Sequence, residues 1–62
     1  MKPRKGDMIL VNNKEIAVID TVYADESYEA YFFGRLGSAF VFQEIDQSQI
    51  VKIIYHLLEN RT

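Results

Sequence analysis

The sequence has no cysteine, no tryptophan, one proline, three glycines and one histidine among its 62 residues. Without cysteine there are no disulfide staples and no thiolate metal sites, the usual supports of a domain with a thin core. With His56 as the single imidazole, a zinc site would have to draw nearly all of its three or four ligands from carboxylates. No stretch approaches the roughly 18–20 consecutive apolar residues that span a bilayer as a helix, and the N-terminus lacks the apolar core of a secretory signal. Together with the missing cysteine, this sets a cytoplasmic location as the expectation. A basic excess is missing too. Seven Lys and Arg stand against nine Asp and Glu, a net charge of −2, whereas proteins that grip duplex nucleic acid by neutralising phosphates normally carry the opposite balance.

What is present is a β pattern in one domain. Residues 1–6 read as an arm, with Pro3 and Gly6 breaking regular structure. Asp7 to Val11 makes a first strand, Asn12-Asn13-Lys14 a turn, since Asn tolerates positive φ, and Glu15 to Tyr23 a second strand. Along that strand Ile16, Val18 and Val22 alternate with Ala17, Ile19, Thr21 and Tyr23, and Asp20 interrupts the first set, which predicts a bulge or bend at Asp20-Thr21. Ala24-Asp25-Glu26-Ser27 is a polar loop, Tyr28 to Phe33 an aromatic third strand, Gly34-Arg35-Leu36-Gly37 a tight connection, and Ser38 to Glu44 a fourth strand. On the fourth, Phe40 and Phe42 share one face, expected to be the interior. Apolar residues on both faces of strands three and four imply closure into a barrel or cover on both sides.

The C-terminal third supports two readings. Ile50, Val51, Ile53, Ile54, Leu57 and Leu58 follow the spacing of one helical face, with Asp46 or Ser48 as its cap. The same residues also read as a turn at Asp46 to Ser48, a strand from Gln49 to Ile54 and a helical tail, which the β-branched pairs Ile50-Val51 and Ile53-Ile54 favour.

The Gly6-Asp7 entry, the Val18-Ile19-Asp20 second strand, the aromatic third strand and the Glu44-to-Ile50 approach to a closing strand resemble an SH3-like small β-barrel of bacterial or phage type, over residues 5–54. The resemblance implies a mostly β fold: four or five antiparallel strands closed as a barrel over residues 7–54, with a short C-terminal helix over 55–62. The alternative is a four-stranded antiparallel meander packed on one C-terminal amphipathic helix. Many unrelated functions occupy this fold, so function has to be argued from side chains.

Catalytic, cofactor and metal constellations are not legible in the chain. His56 has no local nucleophile and orienting acid, Gly34-Arg35-Leu36-Gly37 is a hairpin connection rather than a phosphate loop, and Asp46 two residues after Glu44 is a turn or capping residue. No enzyme and no cofactor are expected. The aromatics carry more weight, because eight Phe and Tyr rings exceed what so small a core can hide. Tyr28, Tyr31 and Phe33, with Arg35 beside them, are the expected partner-binding patch. The expected function is a non-catalytic protein-binding module, an accessory or regulatory factor docking a protein partner or a second copy of itself. A homodimer would use the Tyr31 and Phe33 face or the C-terminal helix. The alternative is a nucleic-acid-binding accessory protein, with Lys2, Arg4, Lys5 and Arg35 on phosphates and Tyr31 or Phe33 stacked on bases.

Overall fold

The computed structural model describes residues 2–33 and 40–56. Arg35, the Gly34–Gly37 connection and the chain beyond His56 lie outside the described residues. Five strands are described, β1 (Asp7–Val11), β2 (Ile16–Val22), β3 (Ser27–Phe33), β4 (Phe40–Asp46) and β5 (Ile50–His56), with a 3-10 turn at Gln47–Gln49 joining the last two. They form one antiparallel sheet in the order β4-β3-β2-β1-β5. The first four are sequential neighbours, and β5 returns to pair with β1.

This order forces the sheet to curl. Laid flat, five strands would separate the outermost two by about 19 Å. Yet β4 and β5 are those outermost strands, and the segment from Asp46 to Ile50 joins them. Four residue steps reach about 14 Å at most. The sheet therefore bends until its edges approach at that end. The expected closed barrel is not formed: among the described residues no ladder joins β4 to β5, and these two are the outermost strands.

The concave side of this curl holds the core. Ile9, Val11, Ala17, Ile19, Tyr28, Ala30, Phe32, Ile45 and Ile50 are buried there, drawn from every strand, with Ile53 packed against them. Small residues meet larger ones across the β2–β3 ladder there, Ala17 paired with Phe32 and Ala30 with Ile19. The expected interior for Phe42 is overturned. It pairs with Tyr31 on the opposite side of the sheet and is 52% exposed. The parity of β4 that faces the core side is that of Val41, Gln43 and Ile45, paired with Phe32, Ala30 and Tyr28, and of the three Ile45 is buried, Val41 half-buried and Gln43 exposed.

The C-terminal segment is a strand through His56 rather than a helix: Tyr55 and His56, expected to open a helical tail, close β5 instead, and the rest of that expected tail lies outside the described residues. Against β1, Val11 pairs with Ile50, Leu10 with Lys52, Ile9 with Ile53 and Met8 with Tyr55. Val51 and Ile54 are thus extra residues at two register shifts. Each such bulge inserts one residue without a ladder partner, so inward positions recur at every third residue, Ile50, Ile53 and His56. That spacing imitates a helical face.

Local chemistry sets the turns. The bulge foreseen at Asp20 is present as the register shift between Ile19 and Thr21. Asp46 caps the 3-10 turn, accepting from the Ser48 backbone N–H at 3.1 Å while Gln49 accepts from the Asp46 N–H at 3.0 Å. In the first hairpin Asn13 accepts from the Glu15 N–H at 3.0 Å, and the positive φ (73°) falls on Lys14 rather than on either Asn. A left-handed conformation costs a residue with a Cβ about 1–2 kcal/mol. Lys14→Gly is expected to raise the melting temperature by a few degrees, the net of relieved strain and added unfolded-state entropy. Thermal denaturation followed by circular dichroism checks this, and a lowered midpoint would contradict it.

Candidate functional site

The convex side of the sheet carries the feature most unlike an ordinary solvated surface. Paired residues share a face, so the ladders define a row running through all five strands: Tyr55, Met8, Val18, Tyr31 and Phe42. Every member is apolar or aromatic. Val18, at its centre, is buried although it faces away from the core. The adjacent row contains Lys52, Leu10 and Ile16, then Phe33 one position beyond the Ala17–Phe32 pair. Phe33 is 51% exposed, and Ile16 and Tyr55 are exposed as well. The aromatic end is ordered by edge-to-face contacts: Tyr31 meets Phe33 at 5.7 Å between centroids and Phe42 at 5.4 Å. Rings arranged in this way hold each other in place without help from a bound partner.

On its other side the aromatic end borders carboxylates. Glu29 lies directly opposite Glu44 across β3 and β4, and opposite Thr21 across β2. Asp20, the bulged residue, accepts from the Thr21 hydroxyl at 3.1 Å. Tyr23 stands just past β2. The Glu29 carboxylate first, then burial, then Glu44 and Asp20 push its phenol above the usual tyrosine range. Like charges directly opposite on neighbouring strands are destabilising. Glu44→Gln should therefore stabilise the fold, raising the melting midpoint by a degree or more at low ionic strength and by less at high salt. A midpoint that falls, or a gain that persists at high salt, would show that the pair does not repel.

The expected patch is only partly assembled. Tyr31 and Phe33 lie on the convex face, joined by Phe42, whose expected place is the interior. Tyr28 does not join them. It is 2% exposed, and its hydroxyl donates to Gln47 Oε1 at 2.6 Å. Burial, foremost, raises its pKa. Arg35 lies outside the described residues.

The N-terminal segment is packed down rather than a free arm. Pro3 is buried, the Gly6 N–H donates to the Ile19 carbonyl at 2.9 Å, and Lys2 pairs with Glu26 at 2.8 Å. The anchor is Asp7, 2% exposed, which accepts from the Arg4 N–H at 2.9 Å and hydrogen-bonds His56 Nδ1 at 3.0 Å. A carboxylate bonded to a half-exposed imidazole could orient a base, but these two bonds tie the start of β1 to the end of β5. Among the described residues, no group of three His, Asp or Glu could hold a metal ion, and no helix is long and apolar enough to cross a membrane.

No protein-family model, curated protein or solved structure matches the chain.

Proposed function

We propose that the chain is an SH3-like small barrel left open at one seam, acting as a non-catalytic protein-binding module through its convex face. Three features support the fold reading: β1 paired between β2 and β5, the 3-10 turn leading into β5, and the enforced curl. The functional reading is carried by one observation: a continuous apolar row from Tyr55 to Phe42, with Phe33 beside it, on a sheet face that no described element covers, whose ends Tyr55 and Phe42 and neighbour Phe33 are exposed while Met8 and Tyr31 are half-buried and Val18 is buried between them. Exposed apolar surface of this kind marks interaction sites in proteins that do not aggregate. Aromatic side chains are prominent among the residues that carry the energy of such contacts. The reading keeps the expectation of a cytoplasmic accessory factor of bacterial or phage type.

Site-specific photocrosslinking in the native host tests it. A photoreactive phenylalanine at position 33 or 42 is expected to give discrete protein adducts, whereas one at Val51, on the bulged edge, gives none. Adducts from Val51 alone, or nucleic-acid adducts from the convex face, would overturn the proposal.

A further inference from the structure

The carboxylates beside the apolar rows point to the chemistry of the partner. We propose that the convex face binds an arginine-bearing apolar segment of a partner protein. Its guanidinium groups would lie over Asp20, Glu29 and Glu44, and its apolar side chains on Tyr31, Phe33 and Phe42. This rests on the protein-binding reading and specifies it.

The argument starts from an unfavourable arrangement in the isolated chain. Glu29 and Glu44 face each other directly across the ladder. Neither the Lys2–Glu26 ion pair nor the His56–Asp7 hydrogen bond involves them. A cation arriving between them removes a repulsion as well as forming new bonds, so binding gains from both. The cation is not a metal ion, because these carboxylates do not converge as a metal-ligating group. They are spread along the face, which suits cations carried on a chain. The neighbouring surface continues the same polarity: an open depression is lined by Ser27, Glu44, Ile45, Asp46 and Gln49.

Aromatic rings select arginine over lysine. Tyr23 stands on one side of the carboxylates, and Tyr31 with Phe42 on the other. Guanidinium is planar, weakly hydrated, able to stack on a ring face and able to bridge two carboxylate oxygens, whereas ammonium is a strongly hydrated point charge. Phosphates would meet the same carboxylates as a barrier. A second copy packed through this face would bring its own carboxylates to the contact.

An NMR titration of the ¹⁵N-labelled full chain tests the proposal. The probe is a synthetic peptide of about twelve residues alternating Arg with Leu and Tyr, a length comparable to segments that dock on folded domains. Peptides with Lys or Glu in place of Arg are the comparisons. The Arg peptide is expected to shift the amides of Glu29, Tyr31, Phe42 and Glu44. The Lys peptide should bind several-fold more weakly, and the Glu peptide should produce no shift. Affinity should fall about tenfold or more in the Glu29→Gln/Glu44→Gln variant and again in high salt, as for a charge-complementary contact. The variant's own spectrum reports that it remains folded.

Equal binding of the Arg and Glu peptides, or unchanged affinity of the double variant, would overturn the cationic partner. If Phe33→Ser/Phe42→Ser then abolished binding of every peptide, the protein-binding face itself would stand. If that variant bound all peptides as before, both readings would fail. Shifts on this face produced by a single-stranded oligonucleotide alone would overturn the proposal in favour of nucleic acid. Sedimentation at twice 7.2 kDa, with the same amides altered by concentration alone, would overturn it in favour of a second copy.

Discussion

Phe32→Ala is expected to unfold the protein, while Phe42→Ala leaves its stability almost unchanged. Phe32 is 1% exposed on the concave face, between Ala17 and Val41 in the ladders. Removing a buried Phe side chain costs about 3–5 kcal/mol. A domain of this size has stability near the lower end of the 5–15 kcal/mol range, so the loss consumes most of it. Phe42 is 52% exposed, and a surface truncation usually stays within about 0.5 kcal/mol. Urea denaturation of both variants reads the difference. Equal destabilisation would mean that the convex row is part of the core rather than a docking face.

Asp7→Ala is expected to cost about 3 kcal/mol, the largest loss from any polar position described. Hydrogen bonds to charged groups are each worth about 1.5–3 kcal/mol. The Arg4 backbone N–H and His56 Nδ1 both rely on this carboxylate. Asp7→Asn keeps an acceptor and should lose less than Asp7→Ala. Denaturant midpoints rank the three proteins. An Asp7→Ala midpoint equal to wild type would show that the bonds merely replace equivalent ones to water.

Strand positions were largely legible, and faces were not. β1 falls at the expected Asp7–Val11, the bulge at Asp20 is present, and Asp46 caps. Those features rest on local chemistry, which a short window of sequence contains. The face of β4 depends on which side of the sheet is concave, a property of the whole curl. Rings are the most apolar side chains, yet the concave side had room for Ala17 and Ala30 and sent Tyr31, Phe33 and Phe42 outward. Alternation alone could have separated Tyr28 from Tyr31, since residues three apart on a regular strand face opposite sides. The strand–helix ambiguity of β5 had a different cause. Two bulges replace a period of two by a period of three, and a one-dimensional pattern cannot distinguish that from a helix. The carboxylate pair Glu29–Glu44 could not be seen in advance, because it exists only through the register of β3 on β4.

The pairing of β5 with β1 sets an order in time. Each of the first three ladders joins strands adjacent in sequence, whereas Val11 must find Ile50 across nearly the whole chain. Closing so large a loop carries an entropic penalty that hairpins avoid, and contacts of this range slow folding. The meander from β1 to β4 can assemble first, with β5 docking onto a surface that already exists. Opening should run in reverse. Amides of Lys52 and Ile53 are expected to exchange with solvent through a partial detachment, while those of Ile19 and Ala30, in the interior of the β2–β3 ladder, exchange only when the whole molecule opens.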